Sequence, residues 1–94
     1  KNMYLEIVSP EATLFAGEVT SVTVPGINGE FQMLKDHAPI VSLLQEGKVK
    51  FSGNVTLEKE YASKFGKDAE GNTVLEISSG TIELKNNKVI VLAD

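Results

Sequence analysis

Thr81-Ile82-Glu83-Leu84-Lys85-Asn86-Asn87-Lys88-Val89-Ile90-Val91-Leu92 is the stretch that decides the fold of this chain. Ile82 and Leu84 alternate with Thr81, Glu83 and Lys85, the two-residue period of a half-buried strand. Asn86-Asn87 then supplies the positive-φ residues that a tight hairpin turn requires. Val89 to Leu92 is apolar on both faces, which marks an interior strand or one covered by a partner. The same period recurs upstream. Leu5 and Ile7 alternate with Tyr4, Glu6 and Val8, and Ser9-Pro10 ends that strand because proline has no amide hydrogen for a ladder. Thr13 to Ala16 predicts a short second strand, Gly17 a turn, and Val19 to Val24 a third strand. Pro25-Gly26 and Asn28-Gly29 are turn signals that put a loop tip immediately before Glu30-Phe31-Gln32-Met33. Lys35-Asp36-His37-Ala38-Pro39 breaks the pattern again. Ile40 to Leu44 and Gly47 to Phe51 then predict two strands joined at Gln45-Glu46. Short strands with frequent turns define an all-β chain, a small β-sandwich or flattened barrel of roughly eight to ten short antiparallel strands.

Asn54 to Asn72 is polar and charged for much of its length and admits two readings. Glu60 and Lys64 lie four apart, as do Tyr61 and Phe65, a spacing that supports one or two helical turns docked onto the sandwich. The other reading is a long β-hairpin whose tip is Asp68 to Asn72. Ser78-Ser79-Gly80 predicts a turn or bulge in which glycine relieves a backbone that side chains would strain.

The 94 residues support one domain, 1–94, with one core. With 41% hydrophobic and 23% charged residues, the composition is that of a globular protein rather than a disordered tail. A net charge of -4 and a pI near 4.9 argue against binding a phosphate backbone, and Lys59, Lys64 and Lys67 are interleaved with acids. The absence of cysteine excludes a disulfide framework and any thiolate chemistry. No apolar run approaches the roughly 18 residues of a membrane helix, so membrane association is expected only through a partner.

The chemistry-bearing residues form no recognisable machinery. His37 is the single histidine, with Asp36 beside it. Neighbours in an extended chain point to opposite sides, so adjacency makes no dyad, and no serine stands in a nucleophile-elbow context. A structural histidine at a turn, bonded to the backbone through one ring nitrogen, is the simpler reading. One histidine without cysteine is a poor start for a zinc site. The glycines lack the spacing of a phosphate loop. Thirteen acids pair by chance, and most form a solvated face. Glu30 stands out by its placement in a Pro-Gly-x-Asn-Gly-Glu loop, where a turn aims side chains toward a partner.

Gly29-Glu30-Phe31-Gln32-Met33-Leu34, followed by His37-Ala38-Pro39-Ile40, resembles a signature of the epsilon subunits of F-type rotary ATP synthases, Gly-Glu-Leu-Gly-Ile-Leu-Pro-Gly-His-Ala-Pro-Leu. Ser79-Gly80-Thr81-Ile82-Glu83-Leu84 and Asn87-Lys88-Val89-Ile90-Val91-Leu92-Ala93-Asp94 are similar to that family's Ser-Gly-Gly-Phe-Val-Glu-Val and Asn-Lys-Val-Thr-Val-Leu-Ala-Asp. Ile7-Val8-Ser9-Pro10-Glu11, Leu14-Phe15-Ala16-Gly17 and Val22-Thr23-Val24-Pro25-Gly26 fall in the expected order before them.

The resemblance implies a rotor subunit without chemistry or cofactor of its own. Such a subunit binds gamma along one side and the polar loops of the c ring at one end, and it couples ion flow to ATP synthesis at the cytoplasmic face of the bacterial inner membrane. It implies a ring-facing loop of Asn28, Gly29, Glu30, Phe31, Gln32, His37, Ala38 and Pro39. The chain departs from the pattern in three places. Lys35-Asp36 stands where the family has Pro-Gly, Gln32 where it has glycine, and residues 54–72 form an expanded segment. Many epsilon subunits continue past the Leu-Ala-Asp match into two helices that inhibit ATP hydrolysis, and some of these bind ATP. The expectation is either a naturally short form or a chain cut at that boundary, lacking both properties as given. The competing reading is a generic β-sandwich ligand-binding or adhesion module, which predicts aromatic-lined concavities. A small hydrolase using His37 is a further alternative.

Overall fold

The computed structural model describes residues 2–94. Ten strands follow in chain order: β1 (Met3–Val8), β2 (Thr13–Val19), β3 (Ser21–Gly26), β4 (Gly29–Met33), β5 (Ile40–Leu44), β6 (Gly47–Ser52), β7 (Phe65–Lys67), β8 (Thr73–Ile77), β9 (Gly80–Lys85) and β10 (Lys88–Ala93). They form one hydrogen-bonded sheet in the order β2-β1-β10-β9-β5-β3-β6-β8-β7, with β4 paired to β3 alone. The sheet bends where β5 meets β3, because only Gly26 and Leu44 pair there. That corner is reinforced by Ile27 N–H donating to the Leu43 carbonyl at 3.1 Å and Gln45 N–H to the Pro25 carbonyl at 2.9 Å. The Gln45 amide also donates to the Gly26 carbonyl at 3.0 Å. The result is two five-stranded layers, β2-β1-β10-β9-β5 and β4-β3-β6-β8-β7, folded over one core.

Alternation assigns each side chain to a layer face. Met3, Leu5 and Ile7 of β1, Ile82 and Leu84 of β9, and Val89 and Val91 of β10 point inward from the first layer, all essentially buried. Val22 and Val24 of β3, Val49 and Phe51 of β6, and Leu75 and Ile77 of β8 answer from the second. Phe51 is the largest fully buried side chain, and its ring meets Phe15 at 4.7 Å between centroids and Phe65 edge-on at 6.0 Å. These contacts join β2, β6 and β7 across the side of the sandwich that no ladder closes.

One pairing differs from the antiparallel expectation. β1 and β10 run parallel, with Leu5 opposite Val89 and Ile7 opposite Val91, and β10 is therefore an interior strand. Gly17 makes no turn. β2 runs straight through it opposite Leu5, and the Phe15 ring lies over the space a Gly17 side chain would occupy. The chain changes layer at Thr20 instead, whose N–H donates to the Ser52 carbonyl at 2.8 Å. Gly80 is not a strained turn either. It opens β9 opposite Leu44 and Ala93, and a Cβ there would collide with the Leu92 carbonyl, so close backbone approach is what demands glycine.

The 54–72 segment combines both readings. Asp68 to Asn72 is a hairpin tip, with Asp68 N–H donating to the Asn72 carbonyl at 3.1 Å and the Asp68 carboxylate accepting from the Glu70 and Asn72 amides at 3.0 and 2.9 Å. A single 3-10 turn, Ala62–Lys64, precedes it. Such a turn stacks residues three apart, so Glu60 and Lys64 do not form the expected ion pair among the described residues. Val55, Leu57, Tyr61 and Phe65 pack partly buried against the core.

Phe51→Ala is expected to cost about 3–5 kcal/mol, measured by urea unfolding, because it leaves a cavity between two rings. Gly80→Ala is expected to destabilise by roughly 1–3 kcal/mol through the collision with the Leu92 carbonyl, which the same titration checks.

Candidate functional site

The two outer faces of the sandwich have opposite character. On the second layer the outward cross-strand pairs are polar or mixed, with Lys48 opposite Glu76, Lys50 opposite Val74 and Thr23 opposite Gln32. On the first layer, register builds two rows across four strands. One runs Leu43, Thr81, Leu92, Val8 and the other Val41, Glu83, Ile90, Glu6. Val41 is 76% exposed, Leu43 59% and Leu92 50%, whereas Ile90 and Val8 are half-buried. Ile27, 54% exposed, extends the apolar row beyond β5 through its bond to Leu43. The exposed apolar residues of the described face are thus gathered along neighbouring strands rather than scattered singly.

The eight predicted loop residues divide between the β3–β4 turn with β4 itself and the connection that follows β4. Ile27 and Asn28 make the β3–β4 turn, and Gly29 has φ +124°, a conformation side chains rarely adopt. Glu30 is not at the tip but inside β4, opposite Pro25, where its exposed carboxylate lies 3.5 Å from the Lys50 ammonium. Phe31 packs against the core over Gly26, and Gln32 donates to the Thr23 hydroxyl at 3.4 Å. His37, Ala38 and Pro39 lead into the opposite end of β5 from Leu43. Asn28 and Gly29 thus lie at one end of β4 and Glu30, Phe31 and Gln32 along it, and the His37–Pro39 group follows its other end, where the Leu34 carbonyl accepts the His37 N–H. The outer edge of β4 pairs with no strand among the described residues.

His37 is a turn residue. Its N–H donates to the Leu34 carbonyl at 3.1 Å, and Nδ1 donates to the Ala38 carbonyl at 2.7 Å, which fixes the ring orientation. The Asp36 carboxylate turns away from the ring. It accepts from the Asn87 amide at 3.1 Å and lies 3.3 Å from the Lys35 ammonium. The Asn87 hydrogen bond first, and Lys35 second, hold the Asp36 carboxyl below its ordinary value. No group of three or more potential metal ligands occurs among the described residues.

Sequence reasoning missed Val41 and Leu43. Their signal was present in Ile40-Val41-Ser42-Leu43-Leu44, which like Val89 to Leu92 carries apolar residues on both faces of a strand.

Because the Asp36 carboxyl is held low in the folded chain, its contribution to loop stability is present above the unfolded value and lost as pH falls through the folded one. An NMR titration is expected to give Asp36 a midpoint below the ordinary carboxylate range, rising toward it in Asn87→Ala. An unchanged midpoint in the variant would assign the shift to Lys35 instead.

The profile of the ATP synthase delta/epsilon chain β-sandwich domain matches residues 2–94. An ATP synthase epsilon chain of Chlorobaculum tepidum is 36% identical over 94 residues, covering 100% of this chain and 91% of the relative. That of Desulforamulus reducens is 37% identical over the same length but is covered over 60% of its own. Among solved structures, the fold is similar to a chain in the central stalk and c ring of the Tetrahymena thermophila mitochondrial ATP synthase, with a TM-score of 0.71 at 9% identity, covering 99% of this chain and 63% of that one. It is also similar to a chain of the Euglena gracilis mitochondrial enzyme, with a TM-score of 0.74 at 17% identity, covering 98% and 50%. The match over residues 2–94 and the identity to the Chlorobaculum chain over nearly its whole length agree, and the chain belongs to the epsilon subunits of ATP synthase.

Proposed function

We propose that this chain is a non-catalytic rotor subunit of the central stalk, acting as one unit over residues 1–94. In this reading the apolar outer face of the first layer binds gamma. The β4 edge, with Asn28 and Gly29 at one end, Glu30, Phe31 and Gln32 along it and His37, Ala38 and Pro39 beyond the other end, meets the polar loops of the c ring. The complex then holds the chain at the cytoplasmic face of the inner membrane, and no helix among the described residues is long and apolar enough to cross it.

The observation that carries this reading is the asymmetry of the outer faces. A free monomer gains little from the exposed parts of Val41, Leu43 and Leu92, whereas covering them with a partner removes apolar area from water at about 25 cal/mol per Å². A second surface at the β4 edge lets one rigid body touch two partners at once. Glu30 supports orientation rather than affinity there, since an exposed charge pair is worth about 0–1 kcal/mol. An adhesion or ligand-binding module would instead need an aromatic-lined concavity. The depression of about 700 Å³ between Pro10, Leu14, Lys64 and Leu75 has a single aromatic in its lining, Tyr61.

Mixing the purified chain with recombinant gamma from the same source is expected to give a one-to-one complex by light scattering. Leu43→Asp and Leu92→Asp are expected to weaken it at least tenfold while costing no more than about 1 kcal/mol of stability, because at least half of each side chain is already exposed. Wild-type chain that fails to bind a demonstrably folded gamma would sink the reading. Glu30→Lys is expected to weaken docking to the ring, measured with reconstituted c ring, and to leave the thermal midpoint nearly unchanged. A large stability loss would make Glu30 structural.

A further inference from the structure

Among the described residues, three other than glycine have positive φ: Asp36 at 68°, Asn86 at 52° and Asn87 at 62°. Asn86 and Asn87 form the β9–β10 turn, where a tight hairpin requires that geometry. Asp36 is the third residue of the Leu34–His37 turn, closed by the His37 N–H to Leu34 carbonyl bond, a position that requires positive φ and that glycine or asparagine usually fills. It sits in the six-residue connection between β4 and β5, and a left-handed aspartate needs a compensating contact to persist. That contact comes from 51 positions away in sequence. The Asp36 N–H donates to the Asn87 side-chain oxygen at 2.6 Å, and the Asn87 amide nitrogen donates back to the Asp36 carboxylate at 3.1 Å. Asn87 is itself anchored, since its carbonyl accepts the Tyr4 N–H at 2.9 Å. One side chain therefore reads both the backbone and the side chain of Asp36 and ties them to the start of β1 and the end of β9.

We infer that Asn87 is a positioning residue: its amide clamps Asp36 in the left-handed conformation and so fixes the Lys35–Pro39 loop against the β9–β10 turn. The carboxamide is suited to this role because it offers one acceptor and one donor side by side, matching the N–H and the carboxylate of a single residue. Aspartate in place of Asn87 would set two carboxylates together, and a hydrophobic residue would leave both Asp36 groups to water. The clamp also connects the two surfaces of the proposed function. The loop holds His37, Ala38 and Pro39, and the β9–β10 strands carry Glu83, Ile90 and Leu92 of the apolar face. That consequence rests on the rotor reading, whereas the clamp itself does not.

The test is amide hydrogen exchange by NMR on the chain alone, for wild type, Asn87→Gly and Asp36→Gly. Glycine accepts positive φ at both positions, so the hairpin and the loop can keep their backbone path while the clamp is removed. Asn87→Gly is expected to accelerate Asp36 amide exchange about fivefold to tenfold, the loss of one hydrogen bond, with the β9–β10 ladder amides at wild-type rates. Asp36→Gly leaves the N–H donor in place and is expected to accelerate the same amide less. A wild-type rate at Asp36 in Asn87→Gly would overturn the clamp. So would an acceleration shared equally by the ladder amides, because Asn87 would then act only through the hairpin. In a binding assay with gamma and c ring, Asn87→Gly is expected to weaken ring docking more than gamma binding. Unchanged docking by a variant with a loosened loop would overturn the link to function while leaving the clamp. A wild-type chain that docks nowhere would overturn the rotor reading instead, with the exchange result untouched.

Discussion

Two layers must bury their inner faces against each other, and nearly every other feature is an accommodation to that burial. No single strand here has enough apolar surface to be stable alone, and a 94-residue chain has a small core to share. Phe51 occupies the middle of it, with Phe15 and Phe65 on two sides. Among the described residues, ladder pairing joins the layers at one corner, the Gly26–Leu44 pair with the bonds of Gln45, and the Thr20 N–H to Ser52 carbonyl bond ties them where the chain crosses from β2 to β3. Elsewhere side chains do the joining. The segment at 54–64 contributes Val55, Leu57 and Tyr61 to this task on the side where no ladder runs between β2 and β7.

Once the inner faces are committed, the outer faces are free to differ, and they do. Mixed charges on the second layer keep one side compatible with water. The first layer leaves Val41, Leu43 and Leu92 uncovered, with Glu83 and Glu6 alternating beside them. Alternation forbids moving these residues inward, since a one-residue slip in β5 would expose Ile40, Ser42 and Leu44 instead. The apolar stripe is thus a property of the outer face itself, not spillover from the core. Under the proposed function, that face and the β4 edge meet two different proteins, and stiffness between them follows from ladders, the corner and the Asp36–Asn87 contact rather than from any flexible connection.

Much of this was legible in the sequence, and the reasons are local. Asn86-Asn87 forced a hairpin because few other residues tolerate two successive positive φ angles. The Leu5/Ile7 and Ile82/Leu84 alternations fixed which side chains face the core. His37 as a turn histidine bonded to the backbone followed from the absence of partners in sequence. The family resemblance rested on residue strings and extended over the chain that the domain profile matches.

What tertiary structure alone decided is everything that depends on which strands become neighbours. Nothing local could tell that β1 and β10 pair in parallel, that Gly17 continues a strand under the Phe15 ring, or that Gly80 is required by the Leu92 carbonyl. The local turn sets the left-handed Asp36, but the contact that holds an aspartate there comes from Asn87, 51 residues later. Likewise the exposed apolar stripe arises from four strands set side by side, each contributing one or two side chains to a row. The sequence by itself determined the strands, the turn residues and the inward faces, because those follow from backbone dihedrals and two-residue alternation. Pairing order and the shape of the contact surfaces were decided by long-range burial, which sums over the whole chain and leaves no mark in any short stretch of it.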